Sequence, residues 1–473
     1  MANTGCTGFF EIVNSNIYVP FTGSSNYDMT LRTDLASQRL FIGNGSNCVA
    51  GIVLNSNYVG INMITPKYQL DVGGNMHGTS NLYLGSNTGV GNSNYPTDLS
   101  GNTGNIITSG NICAGNLGMF RNRIINGDMS INQRGFTTLT AAPGTSYFVD
   151  RFLTYNGSTV STTLCNNQLT TNDTPYQYGH RYTYKNIPNI NITSGFIENV
   201  QNIEGYNIQD FNWGQTYGSS ITVSFWSRSY GISNLGVAIR NDACSYSYTT
   251  NVPVSANSVW QYNTVTIPPP PVISAGTWDK INSLNARGLI LDIGSYGYSA
   301  LISGGTGWYS GNFIASSITT PWINTSGNYV EFTGVQLEKG TIATPFEFRP
   351  YTTELALCQR YLTMIKPPGA TNQRIGVGVG TGGSVNVLCS LPVSLRNYAS
   401  LVLVFSAASN FYIYNGSSLI VCTAIVCTSN SVDCSPNLVS ISASSTLSTL
   451  GNCYMLMSFN VATSYMYVSC ELM

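Results

Sequence analysis

Tyr329–Leu362, YVEFTGVQLEKGTIATPFEFRPYTTELALCQRYL, is the stretch on which the reading of this chain turns. Apolar residues alternate with polar ones at Val330 and Phe332, and again at Val335 and Leu337. The two runs are out of phase by one residue, and the slip falls at Gly334. One extra residue at a glycine inside a strand predicts a β-bulge. Lys339-Gly340 then breaks the strand, and Pro345 and Pro350 fence an extended piece, PFEFRP. Thr352 or Thr353 is placed to cap a helix, with Glu354 in its first turn, where negative charge suits the helix dipole. Leu355, Cys358 and Leu362 recur at helical spacing. One domain is therefore expected to end here and another to begin.

The composition points the same way. The chain has 473 residues, of which 8 % are charged and 42 % hydrophobic, with 48 glycines and 18 prolines. Finely spaced Gly, Asn, Ser, Thr and Tyr suit short strands and tight turns, and the Ala/Leu/Glu/Lys runs of a helical protein are missing. So little charge with this much apolar content predicts a folded core rather than disorder. The formal net charge is −1 and no Lys/Arg cluster occurs, which argues against nucleic acid as a partner. MANTGCTGFF lacks the basic start and apolar run of a secretory leader, and no apolar stretch has the length of a membrane span. The expectation is a protein made in a cytosol without membrane insertion. Of 12 cysteines, Cys358, Cys389, Cys422, Cys427, Cys434, Cys453 and Cys470 lie in the last quarter without a CxxC pair, so free thiols are expected before disulfides or zinc.

Around the opening stretch the chain divides into three expected regions: 1–116, 117–350 and 351–473. The first holds the near-repeats LFIGNGSN (Leu40–Asn47) and LYLGSNTG (Leu82–Gly89), then closely spaced Gly-Asn steps. Such pieces are too sparsely apolar for a core of their own, so three chains wrapping together are expected; a flexible linker is the alternative for 85–116. The second region carries ITVSFWSR (Ile221–Arg228), with Ile221, Val223 and Phe225 alternating against polar residues, and all six tryptophans. After Leu362 the third region has only Lys366, Arg374, Arg396, Asp433 and Glu471 as charges. A surface so poor in charge is expected to be covered by neighbouring subunits.

VEFTGVQLEKG-TIATPFEFRP followed by ELALCQRYL resembles the junction in bacteriophage tail-fibre and receptor-binding proteins where a jelly-roll sandwich, similar to carbohydrate-binding modules, meets a C-terminal tip. NRIINGDMSINQRG (Asn122–Gly135) and YFVDRF (Tyr147–Phe152) are similar to the opening of that sandwich. VGINMITPKYQLDVGGN (Val59–Asn75) is similar to an element of trimeric fibre shafts in phages and large viruses. The resemblance implies an all-β, elongated, multidomain fibre: a β-rich shaft, a jelly-roll β-sandwich, and a C-terminal β-sandwich tip introduced by one short helix. It implies a homotrimeric virion fibre or spike, made in the host cytoplasm, joined to other virion proteins by its N-terminal region and attaching to a host-surface glycan. The Cys and Asn content leans towards a large DNA virus. An architectural capsid or vertex protein and a tailspike-like glycan depolymerase are the rival readings.

Catalytic signals are sparse. His77 and His180 have no partner motif, and no HExxH, GxSxG, Walker or dinucleotide fingerprint is present. Gly376–Gly383, GVGVGTGG, lacks the Lys-Ser/Thr of a phosphate loop and is expected to be a turn or strand end. Glu331, Glu338 and Glu347 are the carboxylates that could face Asp128 or Asp150 as a glycosidase pair, with ion pairs and strand-face charges as the plainer expectation. No cofactor is expected, except that the resemblance places Asp128 where such sandwiches hold a structural calcium; a turn-stabilising Asp is the alternative. For sugar stacking, exposed rings beside polar groups are needed. Trp308 and Tyr309 in GGTGWYSGN, and Tyr296 and Tyr298 in GSYGYS, are expected on glycine-rich loops, and Trp226 on a strand. Core packing is the alternative for each tryptophan.

Overall fold

In a computed structural model, residues 39–43, 51–55, 58–61 and 70–72 are described, and from 120 onward all except 170–180, 190, 273–277, 279–285, 368, 370–371, 398–400, 428–437, 446–447, 459–463 and 472–473. The chain is all-β, as its composition predicts, and forms two compact units, Met1–Ile107 and Thr108–Met473. In the first, Arg39–Gly43, Gly51–Asn55 and Tyr58–Ile61 pair as an antiparallel meander, and Leu70–Val72 adds in parallel to the third. The near-repeat at Leu82–Gly89 and the Gly-Asn steps lie outside the described residues.

The second unit opens with a two-sheet sandwich. Its six-stranded sheet runs Gln261–Ile267, Ile221–Tyr230, Tyr329–Lys339, Arg181–Pro188, Thr162–Leu169, Thr138–Ala141. The eight-stranded sheet runs Gly307–Ser310, Tyr246–Pro253, Asn234–Asn241, Arg287–Ile293, Phe196–Glu204, Phe152–Asn156, Gly144–Tyr147, with Tyr296–Gly297 also on Phe196–Glu204. The pairings within both sheets are antiparallel. Between the sheets lie the inward members of each alternation, among them Phe152, Tyr184, Phe225 and Phe332, with Tyr184 stacked on Phe332 at 5.1 Å.

The strand from the opening stretch, Tyr329–Lys339, is central to its sheet. Its register against Ile221–Tyr230 shifts between Ser224 and Trp226, and Gly334 carries φ +62°, a bulge at the predicted glycine. Before the bulge, Val330–Phe332 pairs with Arg181–Pro188. After it, the Asn122–Gly127 segment takes over: Arg123 donates to the Leu337 carbonyl and Val335 to the Gly127 carbonyl. Gly127 is required there, because an added Cβ would sit 2.2 Å from the Val335 carbonyl oxygen.

The helix spans Tyr351–Gln359. It begins two residues earlier than a cap at Thr352 would place it, and three earlier than one at Thr353. Pro350 occupies the cap position without a side-chain bond, and its carbonyl accepts from Thr353 and Glu354. Leu362 opens a strand instead of extending the helix. That strand, Leu362–Lys366, joins Met466–Ser469 and Val402–Phe405 in a three-stranded sheet. This sheet shares an apolar core with a seven-stranded one: Leu419–Val421, Phe411–Tyr414, Cys453–Ser458, Arg374–Gly380, Ser384–Ser390, Leu438–Ser444, Ala424–Cys427. The glycine-rich Gly376–Gly383 is thus the end of a central strand and its turn.

Buried ionic groups join the C-terminal sheets to the sandwich. Arg151 is ion-paired with Glu471, donates to the Asn202 carbonyl, and lies 3.5 Å from the centre of the Tyr361 ring. Arg134 sits between the Tyr147 and Tyr467 rings, 3.8 Å from Asp150 and 3.7 Å from Glu471. The aromatic-Asp-Arg step of YFVDRF is this lock. Asp150 accepts from the Gln133 amide and side chain, and burial pushes its carboxyl up to about 6 despite Arg134.

Candidate functional site

Strand alternation decides which side chains are available. In Ile221–Tyr230, Ile221, Val223 and Phe225 enter the core, so Trp226, Arg228 and Tyr230 stand on the outer face of the six-stranded sheet. Trp226 lies opposite Tyr262, with ring centres 5.2 Å apart. Arg228 lies opposite Glu331 and pairs with it at 2.8 Å, while its guanidinium covers Trp260 at 4.8 Å. Tyr230 lies opposite Tyr329; these rings stack at 6.5 Å with 19° between planes, and Lys185 Nζ sits 3.6 Å from the Tyr329 centroid. Thr183 donates to Glu331 at 2.6 Å, so this fully buried carboxylate forms the floor on which Arg228 is held.

The result is a row of flat rings with a guanidinium and an ammonium between them. Tyr230 and Tyr262 are exposed, and Trp226, Trp260, Arg228, Lys185 and Tyr329 are half-buried. Rings so placed offer π faces to C–H-rich ligand surfaces, and the cations offer donors to hydroxyl or carboxylate oxygens. Of the aromatic candidates from the sequence only Trp226 stands on this face, and of the carboxylates Glu331 lies beneath it. Its partners Tyr230, Trp260, Tyr262 and Tyr329 were not singled out, although Trp226, Arg228 and Tyr230 follow the period-two signal of ITVSFWSRSY.

The remaining aromatic candidates stand elsewhere. Trp308 and Tyr309 belong to an edge strand, Gly307–Ser310, not a loop, and alternation sends them to opposite faces. Trp308 turns inward among Trp213, Trp278, Tyr246 and Tyr248, and its indole donates to the Pro268 carbonyl at 3.1 Å. Tyr309, opposite Ser247, meets Phe313 edge-on at 5.8 Å. Tyr296 is buried against Tyr298, whose hydroxyl donates to the Ile192 carbonyl at 2.6 Å.

Each carboxylate weighed as a catalytic partner has a structural task. Glu331 holds Arg228; Glu338 accepts from Gln336 and Thr344; Glu347 accepts from the Phe120 and Asn122 amides. Asp128 accepts from the amide and hydroxyl of Ser130, the bonding of a turn-stabilising Asp. It borders a cleft of about 150 Å³ that also contains Glu347, Glu354 and Arg349. Arg349 donates to both these glutamates and to the carbonyls of Ile124 and Asn122. Carboxylates and carbonyls that would suit a calcium ion are therefore turned onto a guanidinium, and the donor set at Asp128 does not fit the metal. Among the described residues no three His, Cys, Asp or Glu cluster in a way that would hold one.

A second ionic cluster, on the outer face of the eight-stranded sheet, is closed. Arg240 donates to Asp292 and Glu198 at 2.7–3.3 Å and to Asn312 at 2.9 Å. Desolvation pushes the Asp292 carboxyl up against the pull of Arg240. The seven cysteines whose surroundings are described carry free thiols, and burial raises those of Cys389 to about 11 and Cys422 to about 12. No helix among the described residues is long and apolar enough to cross a membrane.

No protein-family model matches the chain, and no curated protein matches it. Among solved structures, TmCBM61 in complex with β-1,4-galactotriose is 10 % identical, covering 46 % of this chain and 99 % of that one at a TM-score of 0.22. A carbohydrate-binding module described under "CBM4 structure and function" is 12 % identical, covering 45 % of this chain and 97 % of that one at a TM-score of 0.20.

Proposed function

We propose that this chain is a glycan-binding attachment protein, borne as a homotrimeric fibre or spike on a virion surface, with the outer face of the six-stranded sheet as its sugar platform. The observation that carries the sugar reading is the interleaving of Trp226, Tyr262, Tyr230 and Tyr329 with Arg228 and Lys185 on one open sheet face. Rings stack on pyranose faces, and the cations reach hydroxyl or carboxylate groups at the sugar's edge. Weak sites repeated on three chains would act together, so avidity exceeds the affinity of any one. The virion setting is supported by the junction motifs and the fibre-like element in the first region, whose task would be to join other virion proteins.

Binding to an array of host-type glycans tests this reading, with the full chain as probe and Trp226→Ala as control. Binding that the substitution weakens supports the platform. Release of reducing ends from a bound glycan would favour a depolymerase, a reading the engaged carboxylates disfavour. Absence of binding on every glycan would favour the architectural role.

A further inference from the structure

The Arg374–Gly380 strand, RIGVGVG, has its amphipathic pattern reversed. Gly378 and Gly380 turn inward, where an added Cβ would lie 2.0 Å from the Asn386 carbonyl oxygen and 2.1 Å from that of Thr449. Val377 and Val379 turn outward and are 59 % and 48 % exposed. An antiparallel sheet with one face in water normally places polar residues on that face.

The outward apolar row continues through the register. Val377 lies opposite Leu388 on one side and Met455 on the other; Met455 lies opposite Tyr414, and Tyr414 opposite Leu419. A second row pairs Met457 with Tyr412 and Tyr412 with Val421, and Val379 lies opposite Cys453. Arg374, at a strand end, is the only charged residue in the seven strands of this sheet. The polar members of the face are Asn386, opposite Val379, and Ser440 and Ser442 on Leu438–Ser444; beyond these serines the edge strand presents Val426.

We infer that this face is the surface on which copies of this chain pack against one another. Seven strands about 4.8 Å apart, three outward residues deep, cover about 30 by 20 Å, so two copies bury about 1,200 Å² in total, the lower bound of a specific protein interface. With Arg374 at one strand end, opposite Met457, as its only charge, this face meets a second copy of itself with little like-charge repulsion. One cation is too few for the footprint that a nucleic acid or an anionic lipid surface requires. The sugar platform is on a different sheet and does not depend on this contact; a face that meets itself makes a two-fold pairing, separate from the three-fold contacts of the proposed trimer.

Cys453 is an exposed thiol on this face and serves as the reporter. The full chain is treated with a maleimide, and labelling of Cys453 is followed by peptide mapping alongside light scattering. The expected wild type is an oligomer, with a mass that is a multiple of 50.9 kDa and with Cys453 protected. Val377→Asp, and Leu388→Lys as a second variant, should label Cys453 about tenfold faster or more, remain folded by circular dichroism, lose the concentration dependence of the thermal midpoint, and keep the single-site glycan affinity. A monomeric wild type overturns the inference. So does an assembled wild type whose Cys453 labels as fast as in Val377→Asp, because assembly would then run through other residues. Loss of glycan binding with Cys453 still protected would sink the sugar reading alone.

Discussion

Replacing Arg151 by Met tests the lock between sandwich and tip. The Arg151 and Glu471 side chains are only 2 % and 3 % exposed, so the substitution leaves a carboxylate nearly out of water. Breaking a buried pair in this way costs about 3–5 kcal/mol. The Asn202 carbonyl also loses its donor, and Tyr361 loses the cation on its ring. Arg134, 3.7 Å from Glu471, remains and offsets part of the loss. These contributions share one network and do not add, so the expected total stays at about 3–5 kcal/mol. Arg151 also holds a φ of +71°, a backbone region its partners must maintain. The assay is labelling of the buried Cys358 and Cys470 thiols under native conditions, which reports opening of the tip. Tryptophan fluorescence would miss it, because all six tryptophans lie between residues 213 and 322. At about 1.4 kcal/mol per factor of ten, labelling should speed up by at least about a hundredfold. Adding Glu471→Gln removes the stranded charge and should recover part of the loss. An acceleration under about tenfold, or no recovery in the double variant, would show that the network does not hold the tip.

Three further outcomes are expected. Trp226→Ala should weaken glycan binding by about 1–3 kcal/mol at a steady thermal midpoint, whereas Trp308→Ala, half-buried against core rings, should cost about 1–3 kcal/mol of stability; the reverse assignment would return the site to the 304–311 segment. Asp150 titrates higher in the folded chain than its ordinary value near 4, so folding favours its protonated form: its own contribution to stability should be full below about pH 4 and fall by up to about 3 kcal/mol as pH rises through about 6. Asp150→Asn should flatten that window in urea melts taken across it, and an unchanged slope would contradict the burial argument. Gly127→Ala forces a Cβ onto the Val335 carbonyl and should destabilise the sandwich by about 1–3 kcal/mol; a neutral melt would mean the Asn122–Gly127 segment shifts freely.

Features set by local chemistry were legible in the chain itself. The all-β class follows from turn-forming residues placed between short apolar runs. The Gly334 bulge follows from a phase slip that no regular strand accommodates. The helix after Pro350 was visible too, but its start was not, because the threonines suggested a side-chain cap where the Pro350 carbonyl does the work.

Tertiary pairing decided the rest. Alternation shows that Trp308 and Tyr309 face opposite ways, but only the neighbouring strands show that Trp308 looks into a cluster of rings and Trp226 looks out. Tyr230 and Tyr329 are 99 residues apart in the sequence and meet because an antiparallel register places them opposite each other. Asp128 offered the right chemistry for a cation, yet Arg349, from a distant part of the chain, brings a guanidinium to the neighbouring carboxylates. In RIGVGVG the period of two was plain in the sequence. That its valines face outward follows from the close backbone approach at Gly378 and Gly380, which leaves no room inside for a side chain. A sequence fixes which residues share a face of a strand, whereas the packing of remote strands determines what that face meets.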